Sequence, residues 1–282
     1  NQKFDYYTVD SLFVPNINIT NEVEYHLFSS DLGARFSKSN FNIWINYNYT
    51  LYNQKIFQTV IQDFISNGEN QKNISYGKLG FDYYRGNNVS LRVINKKIKP
   101  KFLGHMLPSN GYVLDIMVGY EWNDFMEGIA LNEDYGTYGS VLKPNNTSRI
   151  DLNFKLFNYF KKYDISLENS SRLALIGNRQ ADDFFHFFGG GMPGLKGYTF
   201  YEQSLTGWGL ITTSIYARKL LLSDNFLNIK DFIGFNKLSV GLVSQCGEAF
   251  PVYKPKFSAG IEVRAKGFLF YGYPAAVTLE HH

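Results

Sequence analysis

Cysteine is nearly absent: Cys246 is the only one in 282 residues. A single thiol excludes an internal disulfide framework and a cysteine-based metal cluster. No run of about 18 uncharged apolar residues occurs, so no segment reads as a membrane-spanning helix. Alanine is sparse and tryptophan numbers 3, whereas Phe and Tyr reach 25 and 21. Aromatics favour strands over helices, which argues against a helical protein. The formal net charge is only +3, with Lys and Arg scattered along the chain. That is too little basic focus for a nucleic-acid partner. Asn1 is preceded by no leader-like segment, so a removed leader or a larger N-terminal part is expected. The terminal Leu279-Glu280-His281-His282 reads as a vector tag or as native sequence. The native reading is favoured, because a strand is under way from Tyr273.

What is present is alternation. Phe41, Ile43, Ile45, Tyr47, Tyr49 and Leu51 fall on one side of a strand, and Asn42, Trp44, Asn46, Asn48 and Thr50 on the other. Leu114 to Glu121 and Ile150 to Leu156 repeat the pattern. Near the end, Phe257, Ala259, Ile261, Val263 and Ala265 alternate with Ser258, Gly260, Glu262, Arg264 and Lys266. A period of two places one set against lipid or a core and the other against water. A soluble sandwich and a membrane barrel share this periodicity. Aromatics near strand ends, at 47–52, 83–84, 157–160 and 268–273, tip the balance toward a membrane barrel, where they form interfacial girdles.

About 14 strand-like segments of about 9–11 residues are expected. Turns are expected at 66–68, 85–88, 108–111, 144–146 and 223–225. Ile56, Phe57, Val60, Ile61 and Phe64 have helical spacing, so 54–64 reads as a short helix or a strand pair. Residues 1–20 read as a lead-in segment and 21–282 as one β-domain.

The densest signal is Phe187-Phe188-Gly189-Gly190-Gly191-Met192-Pro193-Gly194-Leu195-Lys196-Gly197-Tyr198. Its glycine content excludes a helix and Pro193 excludes a central strand, so it is a shaped loop between strands. This loop resembles the signature loop of the outer-membrane assembly superfamily, which includes the BamA-type insertases and the two-partner secretion transporters. With Phe200-Tyr201 after it, it looks most like the branch in which the barrel follows a TolB-like propeller. The resemblance covers about the last third of the chain.

The resemblance implies a transmembrane antiparallel β-barrel of about 14–16 strands in a Gram-negative outer membrane, with the loop folded into its lumen. On the superfamily's sixteen-strand pattern a last strand would be expected beyond this sequence and a periplasmic domain before it. The implied loop motif is Phe188, Gly189, Gly190, Gly191, Pro193, Gly194, Leu195, Lys196, Gly197 and Tyr198. The implied docking wall is Tyr216, Arg218, Gln245 and Gly247, and Glu262, Arg264 and Lys266 would line the lumen. Three positions depart from the family: the tip arginine is Lys196, and its usual acidic partners align with Gln245 and Tyr216. A guanidinium–carboxylate fork is thereby lost, so the loop is expected to dock by other contacts, with Phe187, Phe188 and Tyr198 among them.

Other chemistry is weak. Gly189-x-Gly191-x-x-Gly194 matches a dinucleotide fingerprint but lacks the helix that must follow it. Asp182, Asp183 and His186 read as a solvated loop edge, and no metal site is expected. Ser214 and Ser258 have no histidine base nearby in sequence, and no Gly-x-Ser-x-Gly elbow exists. Cys246 reads as a small packed residue. No enzyme activity and no cofactor are expected. The expected partners are the lipid bilayer and client or partner envelope proteins. The function implied by the resemblance is insertion or translocation of proteins at the outer membrane, the alternatives being a structural or accessory barrel of an envelope complex and a passive diffusion pore.

Overall fold

The computed structural model describes residues 3–5, 16–66, 69–98, 110–132, 137–191, 194–223, 227–229, 233–269 and 273–282. The chain is all-β. Its strands are β1 (Lys3–Asp5), β2 (Asn16–Lys38), β3 (Phe41–Ser66), β4 (Glu69–Ile98), β5 (Gly111–Asn132), β6 (Thr137–Pro144), β7 (Thr147–Phe160), β8 (Ile165–Ile176), β9 (Phe187–Phe188), β10 (Thr206–Gly207), β11 (Gly209–Leu222), β12 (Leu227–Ile229), β13 (Ile233–Phe250), β14 (Lys256–Leu269) and β15 (Tyr273–His281). Thirteen of them form one antiparallel sheet in the order β1-β2-β3-β4-β5-β7-β8-β11-β13-β14-β15, with β6 added to β5 and β12 to β13. The remaining pair, β9 and β10, brackets the glycine-rich loop.

Contacts divide the chain into two compact units, one of 1–32, 47–89 and 121–146, the other of 33–46, 90–120 and 147–282. Strands β2 to β5 run well past the expected 9–11 residues, β4 alone having 30. The expected turn at 85–88 lies inside β4. Its glycine serves packing instead: a Cβ on Gly86 would lie 2.0 Å from the Tyr84 hydroxyl. That hydroxyl donates to Glu121 Oε1 at 2.7 Å. A glycine two residues along a strand thus leaves room for a buried tyrosine, a known use of strand glycine.

The expected helix at 54–64 is also corrected, because these residues belong to β3. Thr59, Val60 and Ile61 are β-branched and disfavour a helix. Across the ladder, Lys55 and Gln58 pack beside Gly80 and Gly77 of β4. The expected turn at 144–146 does separate β6 from β7. The expected turns at 66–68, 108–111 and 223–225 fall partly or wholly outside the described residues.

The second unit has its charges and its hydrocarbon reversed relative to a water-soluble sheet. Along β14, Glu262 is 1% exposed while Ile261 is 55% exposed. On β13, Gln245 is 3% exposed and Leu242 66%. Register extends the apolar face across strands. Ala217, Leu242 and Ile261 form one row, Val240, Val263 and Leu279 a second, and Leu238, Ala265 and Val277 a third. Leaving a Leu or Ile side chain in water rather than burying it forgoes about 1.5–3 kcal/mol. Three contiguous rows of that kind call for a non-aqueous neighbour. The loop between β8 and β11 docks on the opposite face, and its Leu195 and Leu205, with Leu210 of β11, are the largest fully buried apolar side chains among the described residues.

The register can be checked with one substitution. Thr213 lies opposite Cys246, and facing Cα atoms in an antiparallel pair are about 4.5–5.5 Å apart, within disulfide reach. Thr213→Cys is expected to form an intramolecular disulfide under mild oxidation, and Ser214→Cys is not. The reverse result on non-reducing mass spectrometry would mean a register shifted by one residue.

Candidate functional site

The site is built on the charged face of β8, β11, β13 and β14, under the glycine-rich loop. Register places Ser166, Arg218, Gly241 and Glu262 in one cross-strand row. Arg218 and Glu262 are therefore separated by a whole strand, and the residue between them is glycine. A Cβ on Gly241 would come within 3.0 Å of Arg218 Cγ. With no side chain there, Arg218 lies across β13 and grips Glu262 with two bonds, Nε to Oε1 at 2.8 Å and Nη2 to Oε2 at 3.2 Å. Its Nη1 pairs with Glu168 on β8. Arg264 Nη2 donates to the same Glu262 oxygen at 3.2 Å, and the Tyr216 ring lies 4.4 Å from the Arg218 guanidinium carbon.

Two cations and two carboxylates thus close a neutral quartet of β8, β11 and β14, with Arg218 and Glu262 buried at its centre and Glu168 and Arg264 half-buried at its edges. Desolvating four charges is offset only because each is hydrogen-bonded to an opposite charge. A second, half-buried fork lies nearby, where Arg172 donates to both oxygens of Asp151.

The loop docks on the same face, partly by uncharged contacts. Gln245 Oε1 accepts the backbone N–H of Lys196 at 2.9 Å, and Gln245 Nε2 donates to Ser214 Oγ at 3.0 Å. Leu195, 1% exposed, fills a notch at Gly247, where a Cβ would lie 2.6 Å from its Cδ1. The Tyr198 hydroxyl donates to the Phe257 carbonyl at 2.7 Å. Within the loop, Gly189 O accepts Leu195 N–H at 2.6 Å. A Cβ on Gly194 would lie 2.0 Å from that same carbonyl oxygen, which is why the turn needs glycine there.

Phe188 stacks on Phe200, with centroids 5.4 Å apart, and meets Tyr201 edge-on. Phe187 is covered by the guanidiniums of Arg149 and Arg172. The Lys196 ammonium pairs with Glu280 on β15. Burial pushes that ammonium down from the usual lysine range; Glu262 opposes the shift, and Arg218 and Arg264 add to it.

Most of the expected residues therefore meet. Phe188, Gly189, Gly190, Gly191, Gly194, Leu195, Lys196, Gly197 and Tyr198 form the loop, and Gln245 and Gly247 touch it. Tyr216, Arg218, Glu262 and Arg264 form the charged wall. Lys266 is half-buried on the same face of β14 and has no ion-pair partner among the described residues. Pro193 lies outside the described residues.

Gln245 takes the loop's backbone, and the side chain of Lys196 goes elsewhere. Sequence reasoning missed Glu168, Asp151, Arg172 and Glu280. The signal for Glu168 lay in the β8–β11 register, which sets it opposite Tyr216. Asp182, Asp183 and His186 form a single 3-10 turn in which Asp182 caps the Phe184 N–H and His186 meets Asp183 at 3.0 Å. Among the described residues no group of His, Cys, Asp or Glu could hold a metal ion. Comparison with models of known families gave no match, and comparison with curated proteins gave none of significance.

Removing Arg218 leaves Glu168 without its cation and the fully buried Glu262 with Arg264 alone. Arg218→Met is expected to cost about 3–5 kcal/mol in denaturant unfolding, the scale for breaking a buried pair. Gly241→Leu, which blocks the path of the side chain, is expected to act in the same direction. The combined Arg218→Met/Glu262→Leu variant is expected to recover part of the loss. Strict additivity of the single effects would mean that the pair is not coupled.

Proposed function

We propose that the chain is a transmembrane β-barrel of a bacterial outer membrane that assists insertion or translocation of other proteins, as the loop's resemblance to the assembly superfamily implies. The observation that carries the membrane reading is the reversal in the second unit: Arg218, Glu262 and Gln245 are buried on strands whose other face presents contiguous Leu, Ile and Val side chains. Alternating strands with lipid on one side and a polar interior on the other have this pattern. The seating of Leu195 and Lys196 at Gly247 and Gln245 supports the superfamily reading, because it docks the glycine-rich loop on the charged face, the side the lumen would occupy. The chain's partners on this reading are lipid and unfolded client strands, which an exposed sheet edge can template by backbone pairing.

A second reading is a structural or accessory barrel of an envelope complex. It is favoured by the loop's attachment through a buried leucine and a backbone amide, contacts suited to a fixed brace.

The two readings separate in a client-folding assay. The protein in lipid vesicles is expected to accelerate folding of a urea-denatured outer-membrane β-barrel. Gly247→Val, which fills the Leu195 notch, is expected to release the loop, raise protease cleavage near 190–198 and return the client rate to that of empty vesicles. No acceleration by folded wild-type protein would refute the insertase reading and leave the structural one.

A further inference from the structure

Below the loop tip the charged face encloses a cavity of about 440 Å³. Its wall includes Lys155, Arg172, Lys196, Arg218 and Arg264, against only Glu168 and Glu280 as carboxylates. Counting Asp151 and Glu262, which pair with Arg172, Arg218 and Arg264, five cations still face four anions. The surplus is local. Lys155 on β7 lies opposite Ser170 on β8, which lies opposite Ser214 on β11. Among the described residues neither Lys155 nor Ser170 has a hydrogen-bond or ion-pair partner. An ammonium and a hydroxyl thus line the cavity side by side with no acceptor assigned to them, and Lys155 is itself the uncompensated charge of the wall.

We propose that this cavity is a binding site for a small oxyanion of the phosphate class, held by Lys155 and Ser170 with Arg172 and Lys196 supplying the surrounding positive charge. The chemistry fits in three ways. A tetrahedral oxyanion offers several acceptors to donors arriving from different strands. Charge-assisted bonds to ammonium and guanidinium are the strong ones. An anion also balances the surplus charge of the wall. The site is independent of the insertase reading, since a structural barrel or a pore would hold it equally.

The test is titration calorimetry of the full chain in a phosphate-free maltoside detergent with inorganic phosphate, against sodium chloride at matched ionic strength. Saturable heat with phosphate and none with chloride is expected. Lys155→Gln, at an exposed side chain whose loss leaves no buried charge, is expected to weaken binding by about tenfold or more, as befits a lost charged hydrogen bond. Ser170→Ala is expected to weaken it less.

A parallel titration with glycerol phosphate identifies the source. Binding of both ligands assigns the site to a phosphate group that includes tethered ones such as lipid headgroups, and binding of inorganic phosphate alone assigns it to the free ion. Heat no different from that with chloride would overturn the proposal, as would phosphate binding that Lys155→Gln leaves unchanged.

Discussion

An arginine reaching across a neighbouring strand organises the second unit. Arg218 can grip Glu262 only because Gly241 leaves the intervening strand bare, and only if β11, β13 and β14 keep one register. A slip of one residue on any of them would turn a charge onto the apolar face and an Ile or Leu onto the charged one. The quartet of Glu168, Arg218, Glu262 and Arg264 therefore acts as a register lock. Its members are neutral together and costly apart, so the sheet is held in one alignment by electrostatics where a soluble sheet would rely on an apolar core. The opposite face carries exposed Leu, Ile and Val side chains that nothing in this unit covers.

The loop is secured to this wall without borrowing from the quartet. Leu195 occupies the space that Gly247 vacates, Gln245 takes the Lys196 amide, and Tyr198 reaches a carbonyl of β14. Glycine does two jobs here: Gly241 clears a path for a wall residue and Gly247 clears a seat for a loop residue. They lie on the same strand and the same face, six residues apart. Wall rigidity and loop position therefore meet on β13, and a bulky residue at either glycine would be felt at both.

The strand near the chain's end was legible because its alternation is strict. The alternation of 257–266 lies inside β14, Lys256–Leu269. The loop and its contacts at Gln245 and Gly247 were legible from its glycines and from family resemblance. The first unit was misread for a local reason. Arg85-Gly86-Asn87-Asn88 has turn composition, but its glycine makes room for Tyr84, and the helical spacing of 56–64 is coincidental in a run rich in β-branched residues. Glu168 and Asp151 were missed because their importance depends on which residues lie across the ladder. Alternation along one strand fixes a side chain's face but not its cross-strand neighbours.

The central claim is that the two faces of this sheet have exchanged the roles they play in water. Single spin labels along β14, at positions 257 to 266 in a Cys246→Ser background and in lipid vesicles, test it most directly. The account predicts that oxygen accessibility alternates with a period of two and peaks at Phe257, Ile261 and Val263, while labels at Ser258 and Arg264 stay shielded from it. Labels at 257, 261 and 263 that are reached instead by a water-soluble nickel reagent, or shielded from both, would place that face against water or protein and contradict it.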